Sequence, residues 1–426
     1  MGSTNGTRKR EKAITVGLVR RETSRRDVDE HLDELNQLLE TAGGEVVARV
    51  VANRKSPDPS TWIGSGKAGE IQALVDRHGA ALVVFDDDLS PAQVRNLEKI
   101  VAAKVVDRSG LILDIFARRA RTREARTQVE LAQLNYLLPR LTRQWSHLSR
   151  QAGGIGTRGV GETQLEIDRR IIRTRIARLR EELSKIERNR ETQRKARRNV
   201  FTVALVGYTN AGKSTLFNQL TRGDVEAIDQ LFATLDAKVQ KMHFAMPRPT
   251  VVIDTVGFIR KLPHHLVASF RSTMEEAVSA DLVLHLIDAS HPQAEEQRAI
   301  GNEVLADLGI DPANVLEVYN KIDRLEEGYL PGISRAGAVA VSALRGTGIA
   351  RLVEAIRERA MRDGATLHLE IPFDQSRLIA ELHEVAEVYE ESTVDGSLHV
   401  VAWVPRQRLH RFDRFAAGEM EAAGTH

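Results

Sequence analysis

The sequence predicts a multidomain α/β protein, and three observations carry that prediction. Two separate stretches alternate short apolar strand-like runs with helical patterns, the mark of parallel sheets flanked by helices. Between them lie two long runs with coiled-coil apolar spacing, separated by a cluster of glycines. A chain of 426 residues is also too long for one ordinary core and divides into about three domains.

The first α/β stretch, 13–116, follows a polar, basic tail over 1–12 that has no apolar segment of a secretory signal and is expected to be disordered. Its strands are expected at Ile14–Val19, Val46–Val51, Ala81–Phe85 and Lys104–Val106. A helix should begin at Ser90-Pro91, because serine caps helix N-termini and proline suits the first helical position. The region 117–199 should form an antiparallel helical hairpin. Its first helix is expected from about Arg119 to Ser149, through Val129, Leu134, Leu137, Leu138 and Leu141, with a kink at Pro139. The second, from about Glu162 to Arg197, carries Leu165, Ile172, Ile176, Leu179, Leu183 and Ile186 at steps of seven, four and three, a coiled-coil seam. Five glycines between Gly153 and Gly161 forbid a helix there and make the tip. A second α/β domain follows at 200–363, with a mixed sheet and flanking helices. The remainder, 364–426, reads as a small α/β domain: strand Leu367–Ile371, helix Gln375–Glu391, strand Leu398–Val404, then a helix.

Composition narrows the chemistry. There is no cysteine, which removes disulfides, thiol nucleophiles and thiolate metal sites and fits a reducing, cytoplasmic setting. The thirteen histidines show no metal-ligand spacing, and adjacent His264 and His265 read as surface residues. The longest apolar run, near Leu282–Ile287, is interrupted by His285 and is too short to span a bilayer. The net charge of +2 hides an asymmetry: residues 119–199 hold 21 Arg and Lys against 9 Asp and Glu, so the rest of the chain is net negative. A basic middle in an acidic protein points to a polyanionic partner, most simply nucleic acid.

The chemistry-bearing motifs lie in the second α/β domain. An apolar strand, Phe201–Val206, runs into Gly207-Tyr208-Thr209-Asn210-Ala211-Gly212-Lys213-Ser214-Thr215 and a helix, the full phosphate-loop pattern in its strand–loop–helix context. Lys213 is expected on the β- and γ-phosphates and Ser214 on Mg²⁺. A second strand ends in Asp254-Thr255-Val256-Gly257, where Asp254 can hold Mg²⁺ and the Gly257 N–H can face the γ-phosphate. Asn320-Lys321-Ile322-Asp323 follows a third strand, and Asp323 can accept two N–H donors from guanine, which adenine does not offer. Ser342-Ala343-Leu344 can complete the base pocket. Between the first two motifs, Leu231-Phe232-Ala233-Thr234-Leu235-Asp236 supplies Phe232 beside the nucleotide and Thr234 as a candidate ligand of Mg²⁺ and γ-phosphate. Four motifs in this order predict a GTP site, with Lys213, Thr234 and Gly257 the candidates for the hydrolytic chemistry. Phe258 stands where many GTPases carry a water-orienting glutamine, so turnover should be slow unless a partner contributes a group. Asn210 is a candidate for helping to hold K⁺ against the phosphates.

With these residues in hand, the chain resembles the HflX-type GTPases of the Obg–HflX class along nearly its whole length. The resemblance is carried by Trp62-Ile63-Gly64-Ser65-Gly66-Lys67, by Asp107–Ala117, by Gln128–Gln133, by Gly153–Glu166 and by Asp288-Ala289-Ser290-His291-Pro292. It departs from the family at Val160 and Ala237, where proline is usual, and at Glu317, where the strand before Asn320 is usually apolar. The resemblance implies a partly ribosome-associated monomer that binds the large ribosomal subunit and helps split or rescue ribosomes, its hydrolysis stimulated by the ribosome. From Leu131 to Gly161 there is no acidic residue, while Arg140, Arg143, Arg150 and Arg158 accompany Trp145 and His147. The tip residues Arg150 and Arg158 are therefore candidate contacts to ribosomal RNA.

Rival readings remain at this stage. Gly154-x-Gly156-x-x-Gly159 fits a dinucleotide fingerprint but follows a helix rather than a strand. Gly64-Ser65-Gly66-Lys67 looks like half of a second phosphate loop, which leaves open an ATP-dependent RNA-remodelling activity in the first domain. A GTP-switched module that docks a protein through the coiled coil is the third.

Overall fold

A computed structural model of the chain describes residues 10–141, 164–196, 200–223, 231–232, 234, 236–261, 271–326, 337–362, 364–394, 396–417 and 421–422. Two compact units emerge: Met1–Arg188 with Asp229–Asp236 and Lys261–Arg271, and Asn189–Ile228 with Ala237–Arg260 and Ser272–His426.

The first unit contains a four-stranded parallel sheet of order β2-β1-β3-β4, built from β1 (Glu11–Val19), β2 (Gly44–Asn53), β3 (Leu82–Phe85) and β4 (Lys104–Asp107). The strand β1 begins at Glu11, inside the stretch expected as tail. Helices α1 (Arg25–Thr41), α2 (Ser65–His78), α3 (Pro91–Val101) and α4 (Arg108–Arg119) accompany the strands. The expected start of α3 is present in full. Ser90 accepts from the Gln93 N–H, Gln93 answers to the Ser90 N–H, and Pro91 opens the helix. Ile14, Val16, Val83, Phe85, Ile71 and Leu97 belong to one hydrophobic core.

The helix α5 runs Arg123–Leu137, capped by Thr122, and gives way to a 3-10 turn over Leu138–Arg140. The expected helix from Arg119 to Ser149 is therefore corrected within the described residues. Pro139 ends the α-helix, since it lacks an N–H and its ring obstructs the preceding turn. The long helix α6, Gln164–Ala196, carries the predicted seam: Ile176 and Leu179 are buried against Leu131, with Ile172, Leu183, Leu134 and Leu138 around them. The tip-side end of the described hairpin is fastened to the sheet. Buried Asp107 accepts from the Tyr136 hydroxyl at 2.7 Å and from Arg140 at 2.8 Å, and Arg140 lies over the Tyr136 ring. Burial and the adjacent Asp107 push the Tyr136 hydroxyl above its ordinary pKa. The glycine tip, with Trp145, His147, Arg150 and Arg158, lies outside the described residues, as do His264 and His265.

Two short segments from the middle of the chain group with this unit. Phe232 packs edge-on against Phe116, and Asp236 accepts from the Thr122 hydroxyl at 2.5 Å and from the N–H groups of Arg121 and Thr122. Lys261 donates to Asp86 at 2.6 Å and Asp87 at 2.7 Å, just beyond the end of β3. Burial would raise the Asp86 pKa, but Arg108 and Lys261 hold it below the usual carboxylate value.

The second unit holds a six-stranded sheet of order β10-β9-β8-β5-β7-β6. Its strands are β5 (Phe201–Gly207), β6 (Lys238–Lys241), β7 (Thr250–Asp254), β8 (Leu282–Asp288), β9 (Val315–Asn320) and β10 (Val339–Ala340); only β6 runs antiparallel to its neighbour. Helices α7 (Lys213–Thr221), α8 (Arg271–Val278), α9 (Ala294–Asp307) and α10 (Ile349–Met361) belong to this part. After it comes a small antiparallel sheet of order β12-β13-β11-β14: β11 (Gly364–Pro372), β12 (Glu387–Val394), β13 (Ser397–Pro405) and β14 (Glu421–Ala422). The helix α11 covers Ser376–Val385, and the short helix α12 covers Leu409–Phe412. The expected helix Gln375–Glu391 is thus too long. Its second half is the strand β12, where valine, tyrosine and threonine favour a pleated edge and Gly396, at φ +80°, turns the chain back into β13.

Candidate nucleotide site

The site is assembled where four strands of the second unit end. The strand β5 lies between β7 and β8, so the loop that follows it opens at the centre of the sheet edge. Two positions in this loop require glycine. A Cβ on Gly207 would lie 2.2 Å from the Leu286 carbonyl oxygen, and one on Gly212 would lie 2.3 Å from Asn320 Nδ2; both residues have positive φ. The loop then feeds directly into α7, whose first residue is Lys213, so main-chain N–H groups and the helix N-terminus face the same place.

Lys213 is buried, and its Nζ donates to the carbonyls of Gly207 at 3.0 Å and Tyr208 at 2.8 Å. Burial lowers its pKa to about 8, with nearby Asp254 opposing the drop and Lys321 adding to it. Ser214 donates its hydroxyl to Asp254 Oδ2 at 3.0 Å, and Asp254 is wholly buried at the end of β7. A hydroxyl and a carboxylate this close are the hard oxygen donors that Mg²⁺ takes beside phosphate oxygens. Beyond Asp254 the chain crosses the loop mouth. Phe258 donates its N–H to the Gly207 carbonyl at 2.9 Å, and its carbonyl accepts from the Thr209 N–H at 2.7 Å.

On the base side, Asn320 at the end of β9 joins two motifs. Its Nδ2 donates to the Ala211 carbonyl at 2.8 Å, and its Oδ1 accepts from the Ala343 N–H at 2.9 Å. Lys321 adopts a left-handed conformation and reaches Asp288 at 2.7 Å. Asp323 accepts from the Ser342 hydroxyl at 2.5 Å, while Leu344 stands 72% exposed, open to a flat ligand.

The structure therefore brings together Gly207–Ser214, Asp254, Gly257, Asn320, Lys321, Asp323 and Ser342–Leu344, and Thr215 lies in the first turn of α7. Phe232 and Thr234, although buried, group with the first unit instead. Sequence reasoning missed Asp288 as the partner of Lys321 and Arg260 beside the loop. Asp288 carried a signal, an acidic residue ending a buried strand; Arg260 carried none.

A phosphate cradle, a serine–aspartate pair beneath it and an Asn-Lys-x-Asp base clamp, on a sheet of this order, define a P-loop GTPase. Comparison with known proteins agrees. Three family models match in succession: the GTP-binding GTPase N-terminal region over residues 29–117, the GTP-binding GTPase middle region over 119–197, and the 50S ribosome-binding GTPase over 202–321. The chain is 46% identical to the GTPase HflX of Escherichia coli strain K12 over 88% of this chain and 90% of that one. It is 43% identical to the GTPase HflX of Caldanaerobacter subterraneus subsp. tengcongensis over 95% and 94%. Among solved structures it is similar to a GTP-binding protein of Sulfolobus solfataricus in complex with GDP, at 24% identity and a TM-score of 0.43, over 82% of this chain and 99% of the other. The chain belongs to the HflX family of GTPases, and it binds and hydrolyses GTP.

Proposed function

We propose that this GTPase binds the large ribosomal subunit through its basic hairpin, helps split or rescue ribosomes, and is stimulated by the ribosome to hydrolyse GTP. The observation that carries this reading is the hairpin. The 33-residue helix α6 is about 50 Å long, and its Arg169 donates to the Leu141 carbonyl at 3.2 Å, so the tip-side ends of the two helices lie together beside Asp107. It sits in a stretch with a surplus of 12 positive charges, and the tip-side end of its partner helix is held by Asp107 through Tyr136 and Arg140. A cationic hairpin suits an RNA surface better than an apolar protein groove. The matched family description, a 50S ribosome-binding GTPase, supports the same target.

In this reading Lys213 and the loop N–H groups hold the β- and γ-phosphates, Ser214, Asp254 and Thr234 hold Mg²⁺, and Gly257 offers its N–H to the γ-phosphate. Asp323 selects guanine, with Asn320, Lys321 and Ser342–Leu344 shaping the pocket and Phe232 flanking the nucleotide. Bound Mg²⁺ neutralises charge on the phosphates. Asn210, exposed and in a left-handed conformation at φ +63°, is the residue to help hold K⁺. Equal turnover in potassium and sodium at matched ionic strength removes that last assignment. None of the described helices is long and apolar enough to cross a membrane.

The test is co-sedimentation with large ribosomal subunits across a salt series, with a GTP analogue or GDP. Replacing Arg150 and Arg158 by alanine should weaken binding and flatten the salt slope by about one phosphate contact each. Nucleotide affinity should not change. Normal subunit binding together with lost GTP affinity would place the tip in the nucleotide site and overturn the hairpin reading.

A further inference from the structure

Phe258 leaves hydrolysis without a polar side chain at the position that commonly orients water, yet a buried, only partly bonded cation lies two residues further on. Arg260 is 9% exposed. Its Nη2 donates to Gln293 Oε1 at 3.0 Å and lies 3.4 Å from Glu296 Oε1. Its Nε and Nη1 are buried and have no hydrogen-bond partner among the described residues. Unmet buried donors are costly, and a purely structural arginine would extend its head into water instead. Its carboxylate neighbour, Glu296, is half exposed, so that ion pair is a weak hold.

The position is also informative. The Arg260 main-chain N–H donates to the hydroxyl of Tyr208, the second residue of the phosphate loop, at 2.7 Å. Three residues earlier, a Cβ on Gly257 would lie 2.8 Å from Lys213 Nζ, so this chain segment already touches the phosphate-binding lysine. Three residues span at most about 10 Å, within reach of a swung arginine side chain.

We propose that Arg260 is a further catalytic residue, an arginine carried by the chain itself that leaves Gln293 and Glu296 and donates its Nε and Nη1 hydrogens to the γ-phosphoryl oxygens. This rests on the assignment of Gly207–Ser214 as the phosphate site. Water oxygen bonds to the γ-phosphorus while the bond from that phosphorus to the β–γ bridging oxygen breaks, its electron pair staying with GDP. The proton released by the water ends on inorganic phosphate. Arg260 stays protonated throughout and offsets the negative charge that shifts onto the bridging oxygen. The Tyr208 hydroxyl keeps the root of the arm at the loop rim while its head moves.

The experiment measures single-turnover GTP hydrolysis and nucleotide affinity in the full chain. Arg260→Ala should slow hydrolysis about 10²–10³-fold, below the full value of an engaged arginine, with GTP affinity kept within about twofold. It should also fail to trap GDP with aluminium fluoride, and added guanidinium should restore part of the rate. Glu296→Ala, which frees the resting arginine, should raise the rate. If Arg260→Ala and Glu296→Ala both slow hydrolysis and lower the melting temperature together, Arg260 is only a clamp and the proposal falls. Lys213→Ala separates the two assignments: retained GTP affinity there means that the phosphate site is misplaced. Lost affinity there, with full-rate hydrolysis by Arg260→Ala, removes the arginine alone.

Discussion

Two turns in this chain share the letters serine or alanine, glycine, lysine at a helix start, and they differ in what surrounds them. In the first unit Lys67 pairs with Glu70 at 2.6 Å along its own helix, and a Cβ on Gly66 would meet nothing within 4 Å. In the second unit Lys213 is buried under carbonyls, and the glycines are pressed by Leu286 and Asn320. A phosphate loop is therefore recognisable by crowding, since backbone must approach an anion closely and a lysine must be kept from solvent. The turn at Gly64–Lys67 has a paired, partly exposed lysine, and its Gly64 is approached only by the end of the flexible Arg54 side chain, which weighs against a second nucleotide site there.

The largest expected effect breaks the comparison most directly. Lys213→Ala should lower GTP turnover by about 10³ or more, while Lys67→Ala leaves it unchanged. An ATPase that survives Lys213→Ala would show that the two turns are both functional. Next, Asp323→Asn should weaken GTP binding about 10²–10³-fold and favour xanthosine triphosphate, because a buried double acceptor becomes a mixed donor and acceptor. Unchanged GTP affinity in titrations of that variant rules out the base pocket.

Two buried titratable bases of the second unit, Lys213 and His285, sharpen the contrast by pH. Lys213, at about 8 in the protein alone, must be protonated to hold phosphate. GTP affinity should be flat below pH 8 and fall by up to about tenfold per unit above it; a flat profile to pH 10 contradicts the buried-lysine picture. Burial depresses His285 from 6.5 to about 4. The unfolded chain therefore binds the extra proton between those values, and stability is full above pH 6.5 and falls as pH drops to 4. The loss is about 3 kcal/mol, readable as a denaturation midpoint that His285→Gln should make less pH-dependent. The smallest effect is Gly66→Ala, which should stabilise the helix start by about 0.5–1 kcal/mol or less in a melting experiment.

Much of this was legible in the sequence where a local rule and the global fold agree. The run Phe201–Ser214 needed only a strand, glycines at fixed places and a helix start, and Ser90-Pro91 needed only capping chemistry. Glu387–Glu391, the first part of β12, reads as the end of a helix because its three glutamates suit either period, and pairing with β13 decides the matter. The grouping of Phe232, Asp236 and Lys261 with the first unit depends on partners more than 100 residues away, Phe116, Thr122 and Asp86, which no local pattern contains. Arg260 gave no signal because a basic residue after an apolar run looks solvent-facing until its neighbours are known.

The ring of His285 donates from Nδ1 to Asn302 Oδ1 at 3.0 Å, and Asn302 and Arg298 both donate to Glu317. A Cβ on Gly301 would lie 2.3 Å from His285 Nε2, so the histidine fits only because α9 carries no side chain there. Glu317, which breaks the apolar habit of its strand, is thus one member of a five-residue set at 285, 298, 301, 302 and 317. These positions form a single heritable unit. A change at one of them should be tolerated mainly in company with the others, and a sequence that restores an apolar residue at 317 should have released Arg298 and Asn302 as well.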